Sequence, residues 1–374
     1  MLLFLCHEKY LIEQCLILSY CRTSFKPHAC LTRSINMSSI KVICFSALFA
    51  LTNNALASSE VNTESLSYDA LLSSYQYDFK VNYFSVESQK QSLKMAYIYL
   101  KPTKEKMPTV TLMHGKNFNA DYWTTTAQYL QSLGFGVLIP DQIGFGKSSK
   151  PTNYQYSFAS LAHHTHALMD SLNLKQTIVV GHSMGGMLAS RFALMYPNTT
   201  IKLVLLNPIG LENYLHYVEY KDTNFFYKNE LAKTPKGVKK YQQKNYYDGK
   251  WNATYSALTD FITGQIQGPD KAHMAWVNAK TYDMIFTQPV ITEFKDFAVP
   301  VELIIGTRDR TGPGRNWKKT GVDYELGRYD KLGKNAVSLI PNAKLYELDN
   351  LGHLPHIEDF ERFKTVFKEA LAAE

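Results

Sequence analysis

Ser183 is the residue of this sequence best placed to attack a carbon centre. It sits in Gly181-His182-Ser183-Met184-Gly185. Before it, the β-branched run Thr177 to Val180 predicts a short buried strand; after it, Met187 to Tyr196 predicts a helix closed by Pro197. Gly-x-Ser-x-Gly between strand and helix is the spacing of a turn so tight that its central residue is strained. Residues two positions either side must then be tiny. The turn lifts the hydroxyl clear of the sheet and sets a helix N-terminus behind it, which favours developing negative charge. A glycine- and serine-rich turn without chemistry is the plain alternative, and the flanking strand and helix argue against it.

A serine hydroxyl is a poor nucleophile until a base takes its proton and a carboxylate orients that base. The base is expected in a loop after a strand. Leu351-Gly352-His353-Leu354-Pro355-His356 lies between the last predicted strand and the last predicted helix. The acid is expected at an earlier strand end, where Gly306-Thr307-Arg308-Asp309 stands. Asp141 opens a glycine-rich loop and is the rival acid. Asn207 ends another predicted strand but is an amide, which cannot serve. His356 is expected to face the start of the last helix, and His182 to be a hydrogen-bonded core residue. His163, His164 and His166 share a predicted helix, but no carboxylate stands at a matching spacing, so a solvated face is expected rather than a metal site. The loop around Lys147 lacks the spacing of a phosphate-binding P-loop.

These residues need a scaffold. Alternating apolar and polar residues over Asp78 to Glu87 and Ser92 to Leu100 predict a hairpin. Thr109 to Met113 and Gly136 to Pro140 predict strands, separated by a helix from Asp121 to Leu133 with Asp121 as its N-cap. Ser157 to Leu172 predicts another helix, and Ile201 to Leu206 another strand. Strand–helix alternation after residue 109 implies a mostly parallel sheet covered on both faces. The rhythm stops over 211–297, a stretch rich in Tyr and Phe, and resumes with strands at Val301 to Gly306 and Ala343 to Leu348 and a helix from Glu358 to Ala373. An insertion of that length between two core strands reads as a helical cap over the sheet edge.

Three features together resemble the α/β-hydrolase family with a cap, over roughly residues 79–374. They are His114-Gly115 after a strand, the Gly-His-Ser-Met-Gly-Gly turn, and Gly352-His353-Leu354-Pro355 before the last helix. The chain order Ser183, Asp309, His353 is the one that family uses. The resemblance implies an α/β fold with a mostly parallel central sheet, helices on both faces and an inserted helical cap. It implies a triad of Ser183, Asp309 and His353, and an oxyanion hole made by the backbone N–H groups of Lys116 and Met184. Serine at the turn argues for esterases, lipases, carbon–carbon bond hydrolases and cofactor-free haloperoxidases, and against relatives that carry Asp there. Ester hydrolysis of apolar or aromatic acyl groups is the first expectation, cleavage of diketone-like compounds the second, and a ligand-binding protein of the same fold the third. A charged acyl group finds little, since only Lys116 and Arg308 stand near these residues in sequence. No cofactor and no metal is expected, and the partner is a small-molecule substrate.

Composition agrees. The chain has 374 residues, 45% of them hydrophobic and 20% charged, as a globular protein with a sizeable core requires. A net charge of +7 without a long basic run does not imply nucleic acid. Met37 to Lys41, the apolar run Val42 to Leu51 and Ala55-Leu56-Ala57 form the three parts of a secretory signal peptide over 37–57. Residues 1–36 then read as an upstream extension of doubtful translation. The apolar run is too short to span a membrane stably, so no membrane insertion is expected once it is removed, although a retained anchor is the alternative. All five cysteines precede Ala57, so a processed chain has no disulfide and no thiolate metal site. A periplasmic or secreted hydrolase core over 58–210 and 298–374 follows, with its cap over 211–297.

Overall fold

A computed structural model describes residues 66–372; the expected signal peptide and upstream extension lie outside them. Eight strands form one sheet: β1 (Asn82–Ser88), β2 (Gln91–Leu100), β3 (Thr109–Met113), β4 (Gly136–Pro140), β5 (Thr177–His182), β6 (Thr200–Leu206), β7 (Val301–Gly306) and β8 (Ala343–Leu348). Their order is β1-β2-β4-β3-β5-β6-β7-β8. The β1–β2 and β2–β4 pairings are antiparallel and the rest parallel. Gln89 and Lys90 both take positive φ, 49° and 60°, which is the two-residue turn whose twist suits a hairpin.

β3, β4, β5 and β7 are buried along their whole length. This is why they read as largely apolar runs without a polar face: a parallel strand covered on both faces has none to show, and the polar residues these carry, such as Thr111 and Glu302, are buried too. Side chains still alternate between faces. Val179, Leu203, Leu205, Leu303 and Ile305 join the core on one side of the sheet. Ile178, Val180, Val204, Leu206 and Ile304 join the core on the other.

The helices of the scaffold are α1 (Thr124–Leu133), α2 (Phe158–Ser171) and α3 (Met184–Met195). Asp121 does not cap α1. A 3-10 turn over Ala120–Trp123 precedes the helix and is capped by Asn119, whose side chain accepts from Asp121 N–H. The Asp121 carboxylate accepts from Asp78 N–H instead, at 2.8 Å. Helix α3 begins at Met184 rather than Met187, because Gly185 and Gly186 lie inside its first turn and pack tightly against neighbouring backbone and Pro208.

The inserted segment holds α4 (Tyr214–Tyr217), α5 (Thr223–Leu231), α6 (Pro235–Asn245), α7 (Ala253–Ala257), α8 (Asp260–Gln267) and α9 (Lys271–Thr287). Its aromatics largely pack on one another. Phe226 stacks on Phe286 with ring centroids 5.6 Å apart, and meets Tyr282 at a tilt with centroids 4.8 Å apart. After β7 come α10 (Tyr329–Val337), α11 (Pro355–Glu358) and α12 (Phe360–Ala372). The helix that the sequence predicts from Glu358 to Ala373 is α12, and α11 is a separate turn ahead of it. The break is at Asp359, whose carboxylate accepts from Arg362 N–H at 3.1 Å and so caps α12. Among the described residues no helix is long and apolar enough to cross a membrane.

Register brings the loops of interest together. Met113 at the end of β3 lies opposite Gly181 in β5, and His182 lies opposite Leu206 at the end of β6. Leu206 pairs with Ile304 in β7, and Gly306 at the end of β7 pairs with Leu348 in β8. The turns after β3, β5, β6, β7 and β8 therefore leave one edge of the sheet side by side, where open parallel sheets place their ligands.

Candidate active site

Ser183 takes φ 56° and ψ −122°, off the regions ordinary residues favour, at the junction of β5 and α3. The flanking glycines are obligatory. A Cβ on Gly181 would fall 2.2 Å from the Gly185 carbonyl oxygen, and one on Gly185 would fall 2.1 Å from that of Met113. The serine carbonyl is itself held, accepting from Gly186 N–H at 2.9 Å and Ile209 N–H at 3.1 Å.

His353 Nε2 lies 3.0 Å from Ser183 Oγ, and His353 Nδ1 lies 2.6 Å from Asp309 Oδ2. The imidazole and carboxylate are buried, 1% and 0% exposed, so water competes for neither hydrogen bond. Asp309 Oδ1 accepts from Thr311 N–H at 2.7 Å, and Oδ2 also accepts from the Asn207 side-chain amide at 2.9 Å. Burial alone would raise this carboxyl, but the His353 charge and the hydrogen bonds from His353, Asn207 and Thr311 outweigh it and hold it below the ordinary aspartate value. A carboxylate held ionised next to Nδ1 keeps the proton there and leaves Nε2 free to accept from the serine.

Asn207 is the residue that sequence reasoning passed over. It is no acid, yet its Nδ2–H donates to Asp309 and its Oδ1 accepts from Gly306 N–H at 2.8 Å, fixing the carboxylate against the end of β7. Its position at the end of a predicted strand was the available signal; that this strand lies beside β7 is set by the fold. Asp141 has a different use. It is fully buried and accepts from Ala120 N–H at 2.6 Å, Lys147 N–H at 2.8 Å and Tyr77 O–H at 2.8 Å, tying three segments together.

Beside the serine, a Cβ built on Gly115 would lie 3.1 Å from Ser183 Cβ. The Gly115 carbonyl accepts from Phe118 N–H at 3.1 Å and from His114 Nδ1–H at 2.9 Å. In a trans peptide the N–H points opposite the carbonyl, so these two bonds aim Lys116 N–H away from His114 and Phe118. Met184 is the first residue of α3, where N–H groups have no intrahelical partner.

The other histidines separate. His182 is buried between Tyr122 and the His353 carbonyl. His356 stacks on Trp123 with centroids 4.7 Å apart, and burial and the nearby His353 push it down to about 3. His166 stacks on Tyr196 at 4.0 Å and His163 hydrogen-bonds the same tyrosine, but His164 is buried, so the trio is not one solvated face; a carboxylate does stand at helical spacing, Asp170, 3.2 Å from His166 Nδ1.

A cavity of about 50 Å³ lies beside Lys116 under α8 and α9, walled by Phe118, Phe145, Phe261, Ile262, Ile266 and Met274. One water occupies roughly 10–15 Å³ of such space, so the cavity holds a few waters and not a long acyl chain. Lys116 Nζ reaches across to the Asn278 carbonyl at 3.0 Å and Thr281 Oγ1 at 3.4 Å. Its burial lowers the ammonium to about 7. Glu230, Lys233 and Lys271 also line this cavity, whose walls include none of Ser183, Asp309 and His353. Arg308 instead pairs with Glu358 and donates to the Asn350 carbonyl.

Comparison with known proteins agrees with this fold. The family profile described as alpha/beta hydrolase fold matches residues 108–360. Lipase 1 of Psychrobacter immobilis is 23% identical over 347 residues, 88% of this chain and 96% of that protein. A 2-hydroxy-6-oxo-2,4-heptadienoate hydrolase of Pseudomonas putida is 31% identical over 104 residues, covering 27% of this chain and 38% of that protein. Among solved structures, a probable hydrolytic enzyme from Pseudomonas aeruginosa PAO1 superposes with a TM-score of 0.81 at 42% identity, over 83% of this chain and 99% of the other.

Proposed function

The chain belongs to the alpha/beta hydrolase fold family and is a hydrolase; from that premise we propose that it is a secreted serine hydrolase acting through an acyl-enzyme on carboxylic esters with apolar or aromatic acyl groups. The observation that carries this reading is the buried hydrogen-bonded chain from Ser183 Oγ through His353 to Asp309. Ser183 Oγ attacks the ester carbonyl while His353 Nε2 takes its proton. Asp309 holds the imidazole and stabilises the imidazolium. The oxyanion is received by the backbone N–H groups of Met184 and Lys116. Collapse expels the alcohol, which leaves with the proton from His353. Water, deprotonated by the same imidazole, then attacks the acyl carbonyl and releases the acid and the serine.

An apolar acyl group is supported by the aromatic side chain that the inserted segment sets against the base, Tyr246 on His353 with ring centroids 4.7 Å apart, since each buried CH₂ contributes about 0.8 kcal/mol. Export rests on the sequence of Met37 to Ala57 and on nothing in the folded core. The experiment is labelling with a fluorophosphonate probe, followed by kinetics on p-nitrophenyl esters of graded chain length. Single addition at Ser183, lost in Ser183→Ala, with kcat/KM rising from acetyl to medium-chain or aromatic esters, is expected. Labelling of Ser148 or Ser149 would overturn the nucleophile. Intact-mass measurement of exported protein tests a start at Ser58. The match to the heptadienoate hydrolase favours one second reading, carbon–carbon cleavage of a diketone-like compound with the same residues. A flat or falling ester series would move that reading ahead.

A further inference from the structure

Tyr122 and His182 belong to neither the reacting groups nor the substrate wall, yet they join the two loops the reaction needs. Gly115 N–H donates to Tyr122 Oη at 3.3 Å. Tyr122 Oη lies 3.1 Å from His182 Nδ1, and His182 Nε2 lies 2.8 Å from the backbone carbonyl of His353. The direction of every bond follows from the last one. A carbonyl oxygen only accepts, so Nε2 carries the proton. A neutral imidazole then accepts at Nδ1, so the tyrosine hydroxyl donates there and its oxygen is left to accept from Gly115. The ring must stay neutral for this to hold. Burial, and the neighbouring His353, His356 and His114, push His182 well below the ordinary histidine value.

We infer that Tyr122 and His182 are positioning residues: a buried hydrogen-bonded chain that locks the loop carrying His353 to the loop carrying Gly115 and Lys116, so that base and oxyanion donors keep one spacing. Its catalytic consequence rests on the serine-hydrolase reading above; its geometry does not. The chain is rigidly walled. Phe118 stacks on the Tyr122 ring, centroids 4.6 Å apart and planes 11° apart, and Trp123 meets His182 edge-on. Tyr122, His182 and His353 are 6%, 0% and 1% exposed, so no water replaces a lost link at low cost. Residues 115 and 182 stand at the ends of β3 and β5, which pair with each other, whereas residue 353 follows β8, which pairs with neither. The chain supplies the cross-link that strand pairing lacks.

The test uses the full chain and two variants. Tyr122→Phe keeps the ring stacking and removes the hydroxyl. His182→Asn keeps an acceptor for Tyr122 and removes the donor to the His353 carbonyl. Misplacement of a reacting group by about 1 Å costs on the order of 100-fold, so Tyr122→Phe is expected to lower kcat on a p-nitrophenyl ester by roughly 10- to 100-fold. KM should stay within about twofold, and affinity for a trifluoromethyl ketone, which mimics the oxyanion, should fall in step with kcat. Amide hydrogen exchange should quicken in two stretches distant in sequence, 115–118 and 352–354, in Tyr122→Phe. In His182→Asn it should quicken chiefly at 352–354. Unchanged kcat and ketone affinity, or exchange that quickens in only the first stretch of Tyr122→Phe, overturns the inference. The exchange measurement needs no turnover. Failure of the wild-type chain to label at Ser183 would therefore sink the hydrolase reading while the linkage of the two loops is still decided.

Discussion

Tyr246, from the end of α6, lies against the imidazole of His353, ring centroids 4.7 Å apart and planes 29° apart. The inserted segment is thus in direct contact with the proposed base. Its backbone also fits closely there, since a Cβ on Gly352 would fall 2.0 Å from the Tyr246 carbonyl oxygen. A stacked aromatic pair contributes about 0.5–1.5 kcal/mol beyond its buried area. Tyr246→Ala is therefore expected to lower kcat by roughly two- to twelvefold, while Tyr246→Phe, which keeps the stack, should retain most of it. Equal losses in the two variants would show that the hydroxyl, not the ring, matters.

The two buried aspartates should fail in different ways. Asp309→Asn leaves His353 facing an amide and favours the wrong imidazole tautomer, so kcat is expected to drop on the order of 10⁴-fold with little change in thermal stability. Asp141→Asn removes a charged acceptor from three donors and should lower the melting temperature, while the folded fraction keeps its turnover. Melting curves beside active-site titration distinguish the outcomes, and the reverse ranking would reassign the acid.

Asn207 offers a sharper check on the carboxylate. Asn207→Asp sets a second carboxylate where an amide now donates at 2.9 Å. Like charges that close raise one of the pair, so the group beside His353 would take up a proton at higher pH than in the native protein. The acid limb of the kcat/KM profile is expected to move upward in pH. Asn207→Leu removes the donor without adding charge and should lower kcat with a smaller shift. A profile that stays in place in Asn207→Asp would refute the coupling.

Lys116 makes stability depend on pH. Burial lowers its ammonium to about 7 in the folded chain, against about 10.4 when unfolded. Between those values the unfolded chain binds more protons, so the contribution of this group to stability rises with pH across that window and is least below it. Melting temperature measured from pH 7 to 9 should climb more steeply in the native chain than in Lys116→Met. Lys150, buried and likewise lowered to about 7, supplies the same trend in both proteins and cancels in the comparison. Parallel curves would show that Lys116 is solvated.

The sequence by itself determined the elements and the order of the reactive groups. Parallel strands buried on both faces are largely apolar, so Thr109–Met113, Gly136–Pro140, Thr177–His182 and Val301–Gly306 were legible within a residue or two. The turn around Ser183 was legible because only glycine leaves room at 181 and 185. Helix starts were less so: Asn119 in place of Asp121, Met184 in place of Met187, and Phe360 in place of Glu358 depend on local hydrogen bonds and close packing that periodicity does not carry. Tertiary structure alone decided what each side chain meets. Asn207 gains its role because β6 and β7 are neighbours, which sets its amide against Asp309. His182 meets Tyr122 and His353 because strand ends distant in sequence share one edge. Lys116 turns toward α9, and Tyr246 toward His353, because the inserted helices fold back over that edge. Residue type and spacing record the chemistry a chain can do; contacts between residues more than a hundred positions apart are fixed only when burial of the two sheet faces closes the fold.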